Sequence, residues 1–162
     1  MISSFSVLLE FSIVATAVVS GVFLAFSDFI MRSLGRSEIT AGVEVMQVIN
    51  REVFRTVFMV LLIGMSFLSL VLVGYAYLWV NSAVAIYVIP GGVIYFVGVF
   101  LVSLVFNIPM NNALEARDYR EIEAATYWVE TYLPRWTFWN YVRAISAAVS
   151  SACFLVALLQ LA

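Results

Sequence analysis

Two stretches of this chain, from Val57 to Val80 and from Ala83 to Phe106, carry no charged residue at all. A helix needs about 20 predominantly apolar residues to cross the roughly 30 Å of hydrocarbon in a bilayer, and each stretch is long enough. A soluble domain of 162 residues has too much surface for its volume to hide them. Two further runs match them. The first goes from about Phe5 to Ala25, interrupted only by Glu10, and the last from about Phe138 to Leu161, with Arg143 near its start. With their flanks, the four spans cover about 5–27, 55–80, 83–107 and 137–161. The turn at Asn81-Ser82 is so short that the second and third spans must be antiparallel neighbours. The expected fold is therefore all-α: a transmembrane four-helix bundle, up-down-up-down, forming one integral membrane domain over residues 1–162. Pro90-Gly91-Gly92 reads as a flexible start to the third span. The first run lacks a basic leader and a small-residue cleavage site, so it reads as a span and not a signal peptide.

Composition narrows the chemistry. Only 11% of residues are charged, against about 25% in ordinary globular domains. Every basic residue is arginine, the net charge is −2, and no basic stripe suits nucleic acid. The single Cys153 leaves no internal disulfide, and the lack of histidine removes the usual ligands of haem, zinc and copper along with the commonest general base. No metal site is expected. The arginines also set an orientation. Arg32, Arg36, Arg51 and Arg55 surround the first loop and Arg117, Arg120 and Arg135 the third, while the second loop and both ends have none. Under the positive-inside rule the two elaborate loops face the cytoplasm and both termini face out of an inner or plasma membrane.

The elaborate loops read as short amphipathic helices. In the first, Thr40 would cap a helix presenting Val43, Met46, Asn50 and Val53. In the third, Pro109 should end or kink the span, with Asn112 and Glu115 opening a new helix as a capping box. A second run, Tyr119 to Leu133, would turn Ile122, Ala125, Trp128, Val129 and Tyr132 to one side before Pro134 stops it. Such helices either lie on the membrane surface or form a lid over the bundle mouth. Small residues repeat every four positions at Ala17, Gly21 and Ala25 and at Ala144, Ala148 and Ala152. That pattern fits packing between spans one and four, or a seam between two copies in a homodimer.

Polar residues at bilayer depth are costly and ask for a partner or a function. Trp136, Asn140 and Arg143 fall at i, i+4 and i+7 on one helix face. Topology brings Asn107 and Asn111, Asp28 at the end of span one, and Asn50 to the same mouth. Arg143 needs an anion or several carbonyls, and Asp28 is the expected partner, directly or through Asn140. Trp128, Trp136, Trp139, Phe138 and Phe54 would supply apolar walls. The cluster is either structural glue between helices or an amphipathic pocket for a planar aromatic molecule with phenolic or carbonyl oxygens.

Four groups of residues follow in order along the chain: Gly21-Val22-Phe23-Leu24-Ala25-Phe26-Ser27-Asp28-Phe29; Met46-Gln47 with Ile49-Asn50-Arg51; Asn107-Ile108-Pro109-Met110-Asn111-Asn112-Ala113-Leu114; and Trp128 with Tyr132-Leu133, Arg135-Trp136-Thr137, Trp139-Asn140 and Arg143. Together they resemble the anthrone oxygenase-like family of small four-span membrane proteins. The resemblance implies oxidation of an anthrone to an anthraquinone by molecular oxygen, with no metal or flavin. On that reading Arg143, Asn140, Asp28 and Asn50 carry the chemistry, and Asn107, Asn111, Trp128, Trp136 and Phe54 bind the substrate. The competing reading is a non-enzymatic membrane scaffold, or a lipid or quinone binder, with the bundle mouth filled.

Overall fold

The computed structural model describes residues 4–161, the side chain of Ser82 excepted, and these form helices joined by short turns. Residues 1–3 and 162, within the domain expected from the sequence, lie outside that range. Four helices are long and apolar enough to cross a membrane: α1 (Ser4–Leu34), α3 (Val57–Trp79), α4 (Ala83–Glu115) and α5 (Ile122–Leu159). A shorter helix, α2 (Ile39–Glu52), fills the first loop. Asn81 caps the start of the third span by accepting a hydrogen bond from the Ala83 N–H at 2.9 Å. α5 packs along α1 and α4, and α3 packs on both α1 and α4, so the four long helices share one interior.

Three helices outrun the bilayer. At 1.5 Å per residue the 38 residues of α5 span about 57 Å, well beyond the hydrocarbon. The excess lengths of α1, α4 and α5 lie at the same end and, with α2, build a head with its own core. The membrane-level core includes Leu9, Val19, Phe23, Met65, Leu72, Val88, Tyr95, Val99, Ala147 and Phe154. The head core consists of Met31, Val43, Met46, Leu114, Ala124, Trp128, Tyr132 and Trp136.

Several sequence expectations are corrected. The third span does not stop at Pro109, and no capping box starts a new helix at Asn112; α4 runs on to Glu115. Two π-helical turns, Phe96–Leu101 and Ser103–Asn107, precede the proline. Widening the backbone spiral there accommodates a residue that has no N–H and crowds the carbonyl one turn back. Likewise Pro134 does not end a separate helix but lies inside α5, after a π-helical turn at Trp128–Tyr132. The run from Tyr119 is thus the near end of the fourth span, and it buries Ala124, Trp128 and Tyr132 while Ile122 is 85% exposed and Val129 51%. α2 begins at Ile39, so Thr40 lies inside it and does not cap it, and Glu38 at the N-cap position makes no side-chain capping bond.

Pro90-Gly91-Gly92 lies within the helix Ser82–Tyr95, and its glycines mark close helix crossings. A Cβ on Gly92 would sit 2.5 Å from Val73 Cγ2 and 2.8 Å from the Ser69 carbonyl oxygen; one on Gly91 would sit 2.9 Å from Cys153 Cβ.

The α1–α5 seam is also not the stripe expected. Ala17 and Gly21 face outward, as do Ala148 and Ala152. The seam is instead held by hydroxyl and amide donors on backbone carbonyls. Ser20 Oγ donates to Ala144 O at 2.8 Å, Ser151 Oγ to Ile13 O at 3.0 Å, and Asn140 Nδ2 to Phe23 O at 2.6 Å. Between membrane helices such bonds do the holding that apolar contact cannot, because lipid tails are equally apolar.

Candidate functional site

Where the membrane-level core meets the head, the helices leave a cavity of about 440 Å³. α3 packs against α4 around Gly92 and Phe96–Leu101 and then parts from it, so the gap opens towards the head. The cavity is lined by α1 (Val22, Phe23, Phe26), by the end of α2 and its following turn (Met46 to Thr56), and by the start of α3 (Phe58 to Ile63). Phe100, Ser103, Leu104, Ile108 and Asn111 of α4 and Trp136, Asn140 and Arg143 of α5 complete it. The π-helical turns at Phe26–Ile30, Phe96–Leu101 and Ser103–Asn107 each contribute a lining residue. Such turns recur at functional sites because they re-aim side chains without breaking the helix.

Arg143 forms the floor. It is 7% exposed. Its Nη2 donates to Asn140 Oδ1 at 2.6 Å and its Nη1 to Ser103 Oγ at 3.2 Å. The guanidinium carbon lies 4.2 Å from the Phe23 ring centre and 5.4 Å from that of Trp136. Asn140 is fully buried and spends both amide protons on α1, reaching Phe23 O and Ser27 Oγ at 2.6 Å each. Among the described residues no carboxylate pairs with Arg143, and its Nε has no hydrogen-bond partner. The expected Arg143–Asp28 contact does not exist. Asp28 is well exposed, binds Arg32 at 3.4 Å one turn along α1, and does not line the cavity. A buried guanidinium with no counter-ion and an idle N–H is costly, and an anion or a strongly polarised oxygen entering the cavity would offset that cost.

One wall is a polar network on an aromatic ladder. Trp128, Tyr132 and Trp136, four residues apart on α5, stack with centroids 5.3 and 5.9 Å apart and planes within 19°. Asn111 Oδ1 accepts from both Tyr132 Oη and Trp136 Nε1 at 2.8 Å, and Asn50 Nδ2 donates to Tyr132 Oη at 3.4 Å. Of the residues expected at the site, Arg143, Asn140, Asn50, Asn111, Trp136 and Phe54 line the cavity. Asn107 and Trp128 stand behind it. Asn107 Nδ2 donates to Trp136 O at 3.3 Å, and Trp128 is buried at the base of the ladder. Trp139 and Phe138 are not walls: Trp139 stacks on Phe106 at 3.6 Å and Phe138 is exposed. Sequence reasoning passed over Ser27, Ser103 and Glu52, and gave Tyr132 no role at the site; only its four-residue spacing between two tryptophans was readable.

α2 covers the head side as a lid, docked on the end of α4 and the turn that follows it. Gln47 Nε2 donates to Leu114 O and Arg117 O, both at 2.8 Å, and Arg51 pairs with Glu115 at 2.6 Å. A second recess of about 320 Å³ shares Asn50, Phe54, Ile108 and Asn111 with the main cavity and reaches that ion pair. Among the described residues no group of three or more His, Cys, Asp or Glu side chains is placed to hold a metal ion.

Fold and site together define a small multi-pass membrane protein with an aromatic-walled cavity under a helical lid and a lone guanidinium at its floor. The family model of anthrone oxygenase matches residues 51–153, more than half of the chain, and the protein belongs to that family. The match takes in α3, α4, most of α5 and the end of the lid, and stops short of α1, which supplies Phe23 and Ser27. No curated protein and no solved structure matches the chain.

Proposed function

We propose that this protein is a cofactor-independent oxygenase that converts a planar, phenolic, anthrone-like molecule to the corresponding quinone in the cavity above Arg143. The observation that carries the reading is a buried Arg143 with no carboxylate partner among the described residues, facing an aromatic-walled space in a chain of the anthrone oxygenase family. A volume of about 440 Å³ falls within the usual range for sites that enclose a small organic ligand. The reaction turns a ring CH2 and O2 into C=O and water. The electrons come from the substrate once it is deprotonated, so the protein must position it and hold negative charge on its oxygen. A preorganised, desolvated donor suits that task. Arg143 takes the developing oxyanion, Asn50 and Asn111 orient further oxygens, and Trp136, Phe23, Phe26 and Phe58 flank the rings. Asn140 aims Arg143, while Asn107 and, through Tyr132, Trp128 brace Trp136 from behind. A scaffold would have its mouth filled; the cavity counts against it. A lipid or quinone binder keeps the cavity and is separated by assay.

The arginine distribution supports a cytoplasmic head, with both ends of the chain on the other face; reporter fusions after Ser37 and after Asp118 should read cytoplasmic. For activity, the purified chain in lipid nanodiscs is mixed with 1,8-dihydroxyanthrone and air, and oxygen uptake and quinone absorbance are followed. Wild type should exceed protein-free nanodiscs, and Arg143→Met should lose at least about 100-fold in kcat/KM, the loss of one oxyanion donor. Equal rates with and without protein reject the enzyme.

A further inference from the structure

With Asp28 turned out of the site, the oxidation just described lacks a base to start it. We propose that Glu52, on the last turn of the lid helix, is the general base that takes the proton from the substrate carbon to be oxidised. The inference rests on the oxygenase reading of the cavity and adds the residue that initiates it.

Glu52 is the one carboxylate among the described residues lining the cavity. The nearest competitor, Glu115, borders the adjoining recess and is committed to Arg51 at 2.6 Å. Asp28 is held by Arg32 and Glu123 by Arg117, both outside the cavity. The Tyr132 hydroxyl donates its proton to Asn111 and is buried behind Trp136, which leaves no base there. The chain has no histidine. Glu52 by contrast makes no ion pair and no side-chain hydrogen bond among the described residues, although Arg51 and Arg55 flank it in sequence. It is exposed at the rim while Arg143 is buried at the floor.

That disposition matches the substrate. In an anthrone the carbonyl and the methylene occupy opposite positions of the central ring. A molecule lying with its carbonyl oxygen on Arg143 therefore presents its CH2 towards the rim. The lid is fixed there by Gln47 on Leu114 O and Arg117 O and by Arg51 on Glu115, so the carboxylate arrives on a docked helix.

The steps balance. The Glu52 carboxylate takes one methylene proton; the C–H electron pair moves into the ring and leaves an enolate oxygen against Arg143. The enolate passes one electron to O2, and the resulting radical and superoxide combine to form a C–O bond. The peroxide anion takes the proton back from Glu52. Glu52 then removes the second C–H proton as the O–O bond breaks, giving C=O and hydroxide, which leaves with that proton as water.

Proton removal needs no oxygen, so it can be read separately. The full chain in nanodiscs is incubated anaerobically in D2O with 1,8-dihydroxyanthrone, and deuterium uptake at the methylene is followed by NMR. Wild type should accelerate exchange over protein-free nanodiscs. Glu52→Gln should lose about 100-fold of that acceleration, within the range a general base contributes, and Glu52→Asp should restore part of it. Glu121→Gln, at the exposed start of α5, is the control and should exchange as wild type. Binding of the anthraquinone product, read by Trp quenching, should stay within about twofold in Glu52→Gln, since a base acts on rate and not on uniform binding. Exchange in Glu52→Gln within about threefold of wild type overturns the assignment, as does a wild type that gives no exchange above background. Exchange that depends on Glu52 without quinone formation in air would keep Glu52 as a base and remove the oxygenase reading. Quinone formation that ignores Glu52 would do the reverse.

Discussion

Replacing Asn140 with alanine tests whether one amide organises both the helix seam and the arginine. Its Nδ2 binds Phe23 O and Ser27 Oγ across the α1–α5 seam at 2.6 Å each, and its Oδ1 receives Arg143 Nη2 at 2.6 Å. Hydrogen bonds between membrane helices average about 0.6 kcal/mol and reach about 1.7. These two are short and fully buried, so they belong at the upper end. Removing the Oδ1 acceptor also leaves a buried guanidinium N–H unpaired, which costs about 1–3 kcal/mol. Two bonds near that upper end and one stranded donor put the expected destabilisation at about 4–6 kcal/mol. The measurement is unfolding of the purified protein in mixed micelles by SDS titration, followed by far-UV circular dichroism. Ser27→Ala closes a double-mutant cycle, with a coupling of about 0.5–1 kcal/mol expected for contacting residues. A loss below about 0.5 kcal/mol for Asn140→Ala, or strict additivity with Ser27→Ala, would falsify the claim that Asn140 joins the seam to the site.

Arg143→Met should behave in the opposite way. It removes the bonds to Ser103 and Asn140 and the contact with the Phe23 ring, but also a buried charge that no carboxylate balances. The opposing contributions should leave stability within about 1 kcal/mol of wild type in the same SDS titration, while turnover is lost. A collapse of the fold would show that the arginine is structural. Gly92→Ala should destabilise by about 1–3 kcal/mol, because the new methyl meets the Ser69 backbone at 2.8 Å, which cannot rotate aside. Gly64→Ala meets nothing within 4 Å and should be neutral or stabilising by up to about 1 kcal/mol; equal effects at the two glycines would contradict the helix crossing at Gly92.

Much of the site was legible because helical spacing is a local property. Trp136, Asn140 and Arg143 share a face in the sequence, and they share the cavity in the structure. Asn50 and Asn111 also arrived as expected, from separate segments brought to one mouth by topology. The prolines misled because each was weighed against a regular α-helix. π-helical turns just before Pro109 and Pro134 let both helices continue, and no residue type announces such a turn. The small-residue stripes failed as the α1–α5 seam for another reason: spacing shows which residues share a face, not what that face meets. Ala17 and Gly21 look outward, whereas Ser20 and Ala144 lie on the seam.

The partner of Arg143 marks the same boundary. Asp28 and Ser27 are adjacent, yet consecutive residues on a helix, the widened π-helical turn they share included, point roughly a quarter-turn apart. Ser27 therefore meets Asn140 while Asp28 swings out to Arg32. By itself the sequence determined four membrane-length helices, a head rich in arginine and one polar face on α5. A bilayer demands only enough consecutive apolar residues, and a helix face needs only its period. The phase of one helix against another was decided by tertiary packing alone. So were the glycine contact from which α3 parts from α4 and the docking that brings Glu52 to the rim above Arg143, because these depend on residues far apart in the chain meeting at close range.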